Sequence, residues 1–183
     1  MTAQTIPAPA GVTLSVKVDD SQFKEALNRL QRRARYLQPA FADIAGRLLL
    51  SAQHRFENQQ GPDGQAWPAL LASTLAARAK AGKSGPILRI QGNLLRSYTQ
   101  RSDNSGAEVG SNWLYARIHE LGGTTRAHTI RPVKKKALAF GNAVVRSVNH
   151  PGSKIPARSV LGVDNKDGKA ILHTIQHYLE QAL

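Results

Sequence analysis

The spacing of apolar residues predicts two successive helices in the first third of the chain. Asp19-Asp20-Ser21 offers side chains that can cap a helix. Apolar residues then recur every three or four positions, so one face of this helix can pack against a core. The apolar face comprises Phe23, Leu27, Leu30 and Ala34. The other face is basic, with Lys24, Arg29, Arg32, Arg33 and Arg35.

A second helix is expected from Pro39 to about Asn58. Proline suits the first turn of a helix because its missing N–H is not needed there. A strong apolar stripe follows, made of Phe41, Ile44, Ala45, Leu48, Leu49, Ala52 and Phe56. Because the link between the two helices is so short, they should fold back as a hairpin or bend at Pro39. Ahead of both, alternation of apolar and polar residues over 12–18 predicts a short strand.

Turn-forming residues divide the middle of the chain into short elements. The sequence Gly-Pro-Asp-Gly at 61–64 predicts a turn, because proline fixes its own φ and glycine permits a positive φ. Trp67 follows and is expected to anchor on the core. A third helix should begin at Ser73 or Thr74 and end near Gly82. Residues 93–96 predict one helical turn, and residues 97–101 and 107–110 predict a β-hairpin.

The chain becomes basic after Gly122-Gly123. Strands are expected at 129–131 and 137–140, on either side of a Pro-Val-Lys-Lys-Lys turn, with a third candidate at 144–148. Residues 156–162 should enter the closing structure. A last helix is expected over 167–183, with Ile171, Ile175, Tyr178 and Leu179 facing inward.

These elements predict an α+β fold, in which an N-terminal helical hairpin and a C-terminal helix pack on a small antiparallel sheet. A doubly wound parallel sheet would require strands alternating with crossover helices, and that rhythm is missing. Residues 1–12 are expected to form a flexible arm rich in proline and alanine. Residues 13–183 are expected to form one structural domain with a basic β-hairpin arm near 124–150.

The charge of the 183-residue chain points to acidic partners. It contains 25 Lys and Arg against 12 Asp and Glu, a formal net charge of +13. Such a balance attracts nucleic acid, an anionic membrane surface or an acidic protein face, and charge alone does not choose among them. No apolar run reaches the roughly eighteen residues that a membrane span needs. Cysteine is absent, which excludes disulfides and thiolate metal sites, and cytosolic synthesis without a secretory signal is expected.

Short motifs suggestive of catalysis or cofactor binding fail on their spacing. His119-Glu120 starts like a zinc-protease motif, but position 123 is glycine instead of the second histidine. Gly82-Lys83-Ser84 resembles the end of a phosphate loop, but Ala77 stands where the first glycine is required.

Other candidate chemical groups lack the partners they need. His173 and His177 stand four residues apart without a third metal ligand in prospect. The carboxylates are scattered, and no Gly-x-Ser-x-Gly elbow organises the serines. We therefore expect no catalytic residue, no metal and no cofactor.

The basic cluster near 126–158 raises the possibility of nucleic-acid binding. Phosphate contacts need cations along a strip, and single-strand binding also needs stacking aromatic residues among them. Phe140 is the only aromatic residue near this cluster, and no recognition-helix module is evident. A solvated basic hairpin, or one that docks on an acidic neighbouring subunit, is the favoured interpretation.

Several of these motifs occur in an order that resembles the phage virion morphogenesis family, the tail-completion proteins of Mu-like and related tailed phages. The motifs are Gly-Pro-Asp-Gly at 61–64 with Trp67, Ile87-Leu88 with Gly92 and Leu94, Tyr115-Ala116 with His119 and Gly122, and Pro156-Ala157-Arg158 with Leu161-Gly162. Each is weak alone, and their common order is what carries the resemblance over residues 23–179. The candidate structural or interaction residues are Gly64, Trp67, Gly92, Tyr115, Gly122, Arg126, Arg131, Lys134, Lys135, Lys136 and Arg158.

The resemblance implies a structural protein of the virion neck or tail end, made in the host cytoplasm and without catalytic residues. It implies copies arranged in a ring, six-fold or twelve-fold, next to tail-tube, stopper or connector proteins. The N-terminal arm and the basic hairpin are expected to reach across to such neighbours. A basic DNA-binding accessory protein remains the alternative, and a toxin-like or modifying enzyme is a more distant one.

Overall fold

The computed structural model describes residues 6–7, 13–14, 16–133, 136–140 and 143–182. Most of the predicted arm at 1–12 lies outside these residues, as do Lys134 and Lys135. Strand β1 (Ile6–Pro7) pairs antiparallel with β2 (Thr13–Leu14). Within the predicted strand 12–18, residues 16–18 belong to no strand, and Val16 and Val18 are exposed.

The first two helices and the last one form where the apolar spacing predicts them. Helix α1 spans Ser21–Arg35 and α2 spans Gln38–Asn58, with Pro39 in the first turn of α2. Helix α3 (Ala72–Lys80) and the single turn α4 (Asn93–Arg96) follow. Helix α5 (Ala116–Leu121) ends at Gly122, and α6 (Asn165–Glu180) begins two residues before the predicted start.

The core forms where α2 crosses a hairpin of two strands. These strands are β3 (Tyr98–Ser102) and β4 (Ala107–Ser111), and α6 packs on α2 as well. The ring of Phe56 is fully buried and meets Trp67 and Tyr98 edge to face, with centroid distances of 5.5 and 5.6 Å. Such pairs add about 0.5–1.5 kcal/mol to the gain from buried area. The α+β prediction is confirmed.

A long two-stranded ribbon leaves this core between α5 and α6. From base to tip its antiparallel pairs are β5 (Gly123–Thr124) with β10 (Lys154–Ile155), β6 (His128–Ile130) with β9 (Val148–His150), and β7 (Leu138–Phe140) with β8 (Ala143–Val145). We call residues 123–155 the ribbon.

The strand pairing in the ribbon differs from the prediction. The sequence suggested that 129–131 and 137–140 flank one turn, but each pairs with a segment further along the chain. Phe140 stands opposite Ala143, so the chain reverses after Phe140 and not at Pro132. The intervening Gly-Asn is a sequence that favours tight hairpin reversals, whereas proline lacks the N–H that a ladder needs.

Helix α1 presents a different face to the molecule from the one its apolar spacing predicts. The Arg33 guanidinium lies 4.3 Å from the ring centroid of Tyr178 on α6, and Arg29 Nε donates to the carbonyl oxygen of Ala182 at 3.0 Å. Phe23 and Leu27 remain 66% and 47% exposed. The predicted inward face is therefore largely at the surface, because the arginine side of α1 occupies the end of α6.

Candidate interaction site

The segment that joins the ribbon to α6 is fastened to α2 by one buried guanidinium. We call residues 156–164 the connecting segment. Arg55 Nη1 donates to the carbonyl oxygens of Val160 and Gly162 at 2.9 and 2.8 Å. Its Nη2 lies 2.6 Å from Asp167 Oδ2 and 3.4 Å from Asp164 Oδ2. This arrangement fixes the base of the ribbon relative to the core.

Asp164 also begins α6 by capping it. Its Oδ1 accepts hydrogen bonds from the backbone N–H groups of Lys166 and Asp167, both at 2.8 Å, while Asp167 Oδ2 accepts from the Asp164 N–H. This reciprocal pattern is a capping box. The Asp167 N–H, then that of Lys166 and the Arg55 guanidinium, lower the pKa of the Asp164 carboxyl.

Glu120 holds the connecting segment from the α5 side. Its carboxylate accepts the backbone N–H groups of Val160 and Leu161 at 2.9 Å, and the Ser159 hydroxyl donates to its carbonyl oxygen at 3.1 Å. Burial raises the pKa of Tyr98, and the Glu120 carboxylate adds to this shift. Glu120 thus acts as an acceptor for backbone groups of the connecting segment.

Arg158 and Trp67 also hold the connecting segment against the core. Arg158 is 5% exposed, and its guanidinium donates to the carbonyl oxygen of Pro68 from Nε and Nη2 at 3.0 and 2.8 Å. The indole N–H of Trp67 donates to the carbonyl oxygen of Ser159 at 3.0 Å. The grouping of Arg158 with the basic surface cluster is therefore wrong, because the Arg158 guanidinium donates to backbone carbonyls inside the fold and not to a partner at the surface.

Gly122 occupies the point where α5 turns into the ribbon. Its φ is +70°, and an added Cβ would lie 2.8 Å from Ala157 N and 3.1 Å from Ile155 O. Only glycine fits this close approach of two backbones. The other two predicted glycines lie elsewhere: Gly64 in the turn before Trp67, and Gly92 immediately before α4.

The ribbon presents cations to solvent without compensating acids. Arg126, Arg131 and Lys136 are exposed, and no acidic residue occurs between Glu120 and Asp164 in the sequence. Arg146 and Lys154 are exposed on the returning strand. The predicted Lys134 and Lys135 lie outside the described residues. A ribbon that carries positive charges and no negative ones favours contact with an acidic surface.

An open groove of about 360 Å³ lies beside α4 and α5. Tyr115 and Gly92 line it, together with Arg78, Lys83, Leu88, Ile90, Gln91, Asn93, Leu94, Trp113 and His119. Burial, and then the nearby Arg158, lower the pKa of His119, which favours its neutral form. We call this the aromatic groove. It brings together Gly92 and Tyr115, which the sequence did not connect.

The described part of the chain contains neither a metal-binding group nor a membrane-spanning helix. His173 and His177 stack with ring centroids 6.2 Å apart, but nowhere in residues 16–133, 136–140 and 143–182 do three His, Asp or Glu side chains form a metal-binding group. No described helix has the length and apolar character needed to cross a membrane.

The sequence did not reveal Arg55, Glu120 or Asp167 as structural centres. Arg55 sits on the apolar stripe of α2, and only its burial shows its role. The sequence did contain a signal for Asp164. Asp164 and Asp167 stand three residues apart at the start of an apolar stripe, and this spacing of acidic residues is typical of a helix N-terminus.

Comparisons with known proteins converge on one group. The model of the phage virion morphogenesis family matches residues 18–180. The chain is 32% identical over 142 residues to "Putative capsid assembly protein G" of Escherichia phage Mu, which covers 76% of this chain and 78% of that protein. It is 27% identical over 168 residues to "Mu-like prophage FluMu G protein 2" of Haemophilus influenzae, covering 91% and 96%. No solved structure matches.

Proposed function

Because the chain belongs to the phage virion morphogenesis family and so takes part in building the phage particle, we propose that it is a structural protein of the neck or tail end. In this role it completes the tail and supports head–tail joining as one subunit of a symmetric ring. The ring is six-fold or twelve-fold, and its neighbours are tail-tube, stopper or connector proteins. The role is structural, with no catalytic step.

The observation that carries this proposal is a group of large apolar side chains that are exposed at successive positions before α5. Trp113, Leu114 and Tyr115 are 40%, 82% and 57% exposed. Exposed apolar patches mark surfaces that bind other proteins. A contact with a neighbouring copy would cover these side chains, as expected of a subunit within an assembly.

The protruding elements suit a ring in particular. Copies in a ring make head-to-tail contacts, in which one surface of each copy meets a different surface of the next. The ribbon and α1 extend from the core, while the aromatic groove is concave and lies beside α4 and α5. Extended segments can also gain affinity by adding to the exposed sheet edge of a neighbour.

Removal of the gene from a phage that carries it tests the proposed function. Electron microscopy of the lysate should show full heads and separate tails, and expression of the chain from a plasmid should restore joined particles. Lysates with normal numbers of joined particles would contradict the proposal. Lysates lacking heads altogether would place the protein at an earlier step, which also contradicts it.

A second candidate, a DNA-binding accessory protein of the packaging or neck region, is favoured by the ribbon alone. Its exposed cations without intervening acids match a phosphate backbone in sign. Counterion release makes such binding steeply salt-dependent. Purified protein should then shift duplex DNA at low salt. Its affinity for the DNA should fall about a thousandfold between 50 and 200 mM salt. If no shift occurs at low salt, this candidate fails and the ribbon is left for protein contacts.

A further inference from the structure

The aromatic groove has the chemistry of a site for an acidic segment with apolar anchors. Its apolar walls are Leu88, Ile90, Trp113 and Tyr115, and its cations are Arg78 and Lys83. No Asp or Glu lines it. An occupant must therefore supply apolar side chains and negative charge together.

One exposed segment of this chain combines these two properties. Residues 16–23 read Val-Lys-Val-Asp-Asp-Ser-Gln-Phe, and they contain the only two adjacent acidic residues in the sequence. Val16, Val18 and Phe23 are 66%, 75% and 66% exposed. We call residues 16–23 the acidic segment.

The acidic segment stands away from the core of its own copy. The contacts that join α1 to α6 and to the β3–β4 turn come from Arg29, Arg33 and Arg35, in the second half of the helix. In the first half, Lys24 pairs with Asp20 at 2.8 Å, within the same helix end. The Asp19 carboxylate is exposed and accepts a hydrogen bond from the N–H of Ser21.

We propose that the acidic segment of one copy docks in the aromatic groove of the next copy. Val18 and Phe23 cover the apolar walls, and Asp19 faces the cations at Arg78 and Lys83. This inference rests on the proposed function, because it supplies the head-to-tail contact that a ring requires. It assigns the exposed apolar side of α1 to a contact between copies.

Charge complementarity selects this occupant over others on the same chain. The ribbon is uniformly basic and would be repelled by Arg78 and Lys83. The second half of α1 is basic as well, with Arg29, Arg32, Arg33 and Arg35. The acidic segment combines exposed large apolar side chains with the only two acidic residues that are adjacent in the sequence.

The absence of natural cysteine makes a specific cross-linking test possible. Val18→Cys places a thiol on the acidic segment, and Leu114→Cys places one at 82% exposed Leu114, between Trp113 and Tyr115. A phage lacking the gene is complemented with these variants, and purified particles are treated with a short bis-maleimide. Leu172→Cys, on an exposed position of α6, replaces Leu114→Cys in the control.

The proposal predicts a specific pattern of products. The V18C/L114C double variant should give a ladder of covalent oligomers, while V18C/L172C should give none. A mixture of V18C copies and L114C copies should give dimers and no longer products. V18C copies alone should give no dimer, because a head-to-tail contact does not bring two acidic segments together.

Charge exchange gives an independent readout. Asp19→Lys or Lys83→Glu should each reduce the cross-linked yield about tenfold, because like charges then face each other. The combination of both substitutions should restore the yield to within about threefold of the original. Both positions are exposed, so neither substitution disturbs the core.

Failure of this inference is distinguishable from failure of the proposed function. If the chain is absent from purified particles, the proposed function is wrong and the inference falls with it. If the chain is present but V18C/L114C gives no oligomers, or V18C alone gives dimers, the docking is wrong while the structural role stands.

Discussion

Arg55 illustrates how much of this fold depends on single side chains that join distant parts of the chain. The residue is 4% exposed, and its guanidinium contacts the carbonyls of Val160 and Gly162 and the carboxylates of Asp164 and Asp167. Sequence periodicity places Arg55 beside the apolar stripe of α2 but gives no indication of these acceptors, which lie more than a hundred residues further along the chain.

Arg55→Met should lower the free energy of unfolding by about 3–5 kcal/mol, because it leaves the buried Val160 carbonyl and the partly buried Asp167 carboxylate without their donor. Urea unfolding followed by circular dichroism measures the change. Arg101→Met is the matched control: Arg101 pairs with Glu108 at 2.7 Å, but both side chains are largely exposed, so the loss should stay below about 1 kcal/mol. Equal losses in the two variants would refute the assigned role.

Asp164 makes the stability of α6 dependent on pH. Its hydrogen bonds favour the charged form and lower its pKa below the ordinary value of 3.8. The stabilisation is therefore present above that value and is lost as the pH falls through the lower folded-state pKa. Asp164→Asn keeps a capping oxygen but cannot titrate, so urea midpoints should decrease less from neutral to acidic pH than in the wild type. An unchanged decrease would show that Asp164 does not contribute to it.

Gly122 determines where the ribbon begins, because its positive φ turns the chain from α5 into β5. Gly122→Ala should cost about 1–3 kcal/mol from its conformation alone, and the added Cβ would also press on Ala157 N. Gly106→Ala serves as the control, since an added Cβ there meets nothing within 4 Å and its φ is not positive. Thermal unfolding should separate the two variants clearly, and similar midpoints would contradict the close approach at Gly122.

At the scale of elements, the sequence predicted the helices better than the strand pairing. Helices α2 and α6 carry long apolar stripes and local capping signals, and both formed within three residues of the expected bounds. Strand pairing depends on partners that local patterns do not identify. The sequence therefore predicted that 129–131 and 137–140 flank one turn, whereas the structure pairs each of them with a later segment of the ribbon.

The charge of the ribbon should matter for assembly and not for folding. Replacement of Arg126 and Arg131 by Gln should change the unfolding free energy by less than about 0.5 kcal/mol, since both are exposed. The amount of the chain in purified particles should decrease several-fold because an acidic partner surface is no longer attracted. Quantitative immunoblotting of particles measures this.

A control with the same loss of charge elsewhere makes the ribbon result specific. Lys166→Gln with Lys169→Gln removes exposed cations from α6. These particles should contain normal amounts of the chain. Equal losses from the ribbon and α6 variants would attribute the effect to net charge and would contradict a contact made by the ribbon.

At the scale of the whole molecule, the amphipathic pattern of α1 shows a limit of sequence reasoning. Phe23 and Leu27 have the spacing of core residues but are 66% and 47% exposed. Periodicity reports that a face is suited to burial and does not say whether its partner is the same chain or another copy. The same limit applies to Trp113 and Tyr115, whose grouping with Arg78 in one groove required the three-dimensional structure.

The exposed apolar side chains and the family membership support the same proposal for the whole molecule: a small core carries elements that neighbouring copies complete. Averaged electron cryomicroscopy maps of the neck and tail end of purified particles test this account most directly. The account predicts a closed ring of this chain at the junction of head and tail, with rotational symmetry and continuous density between successive copies. A map in which the junction lacks the chain, or holds copies that do not touch one another, would contradict it.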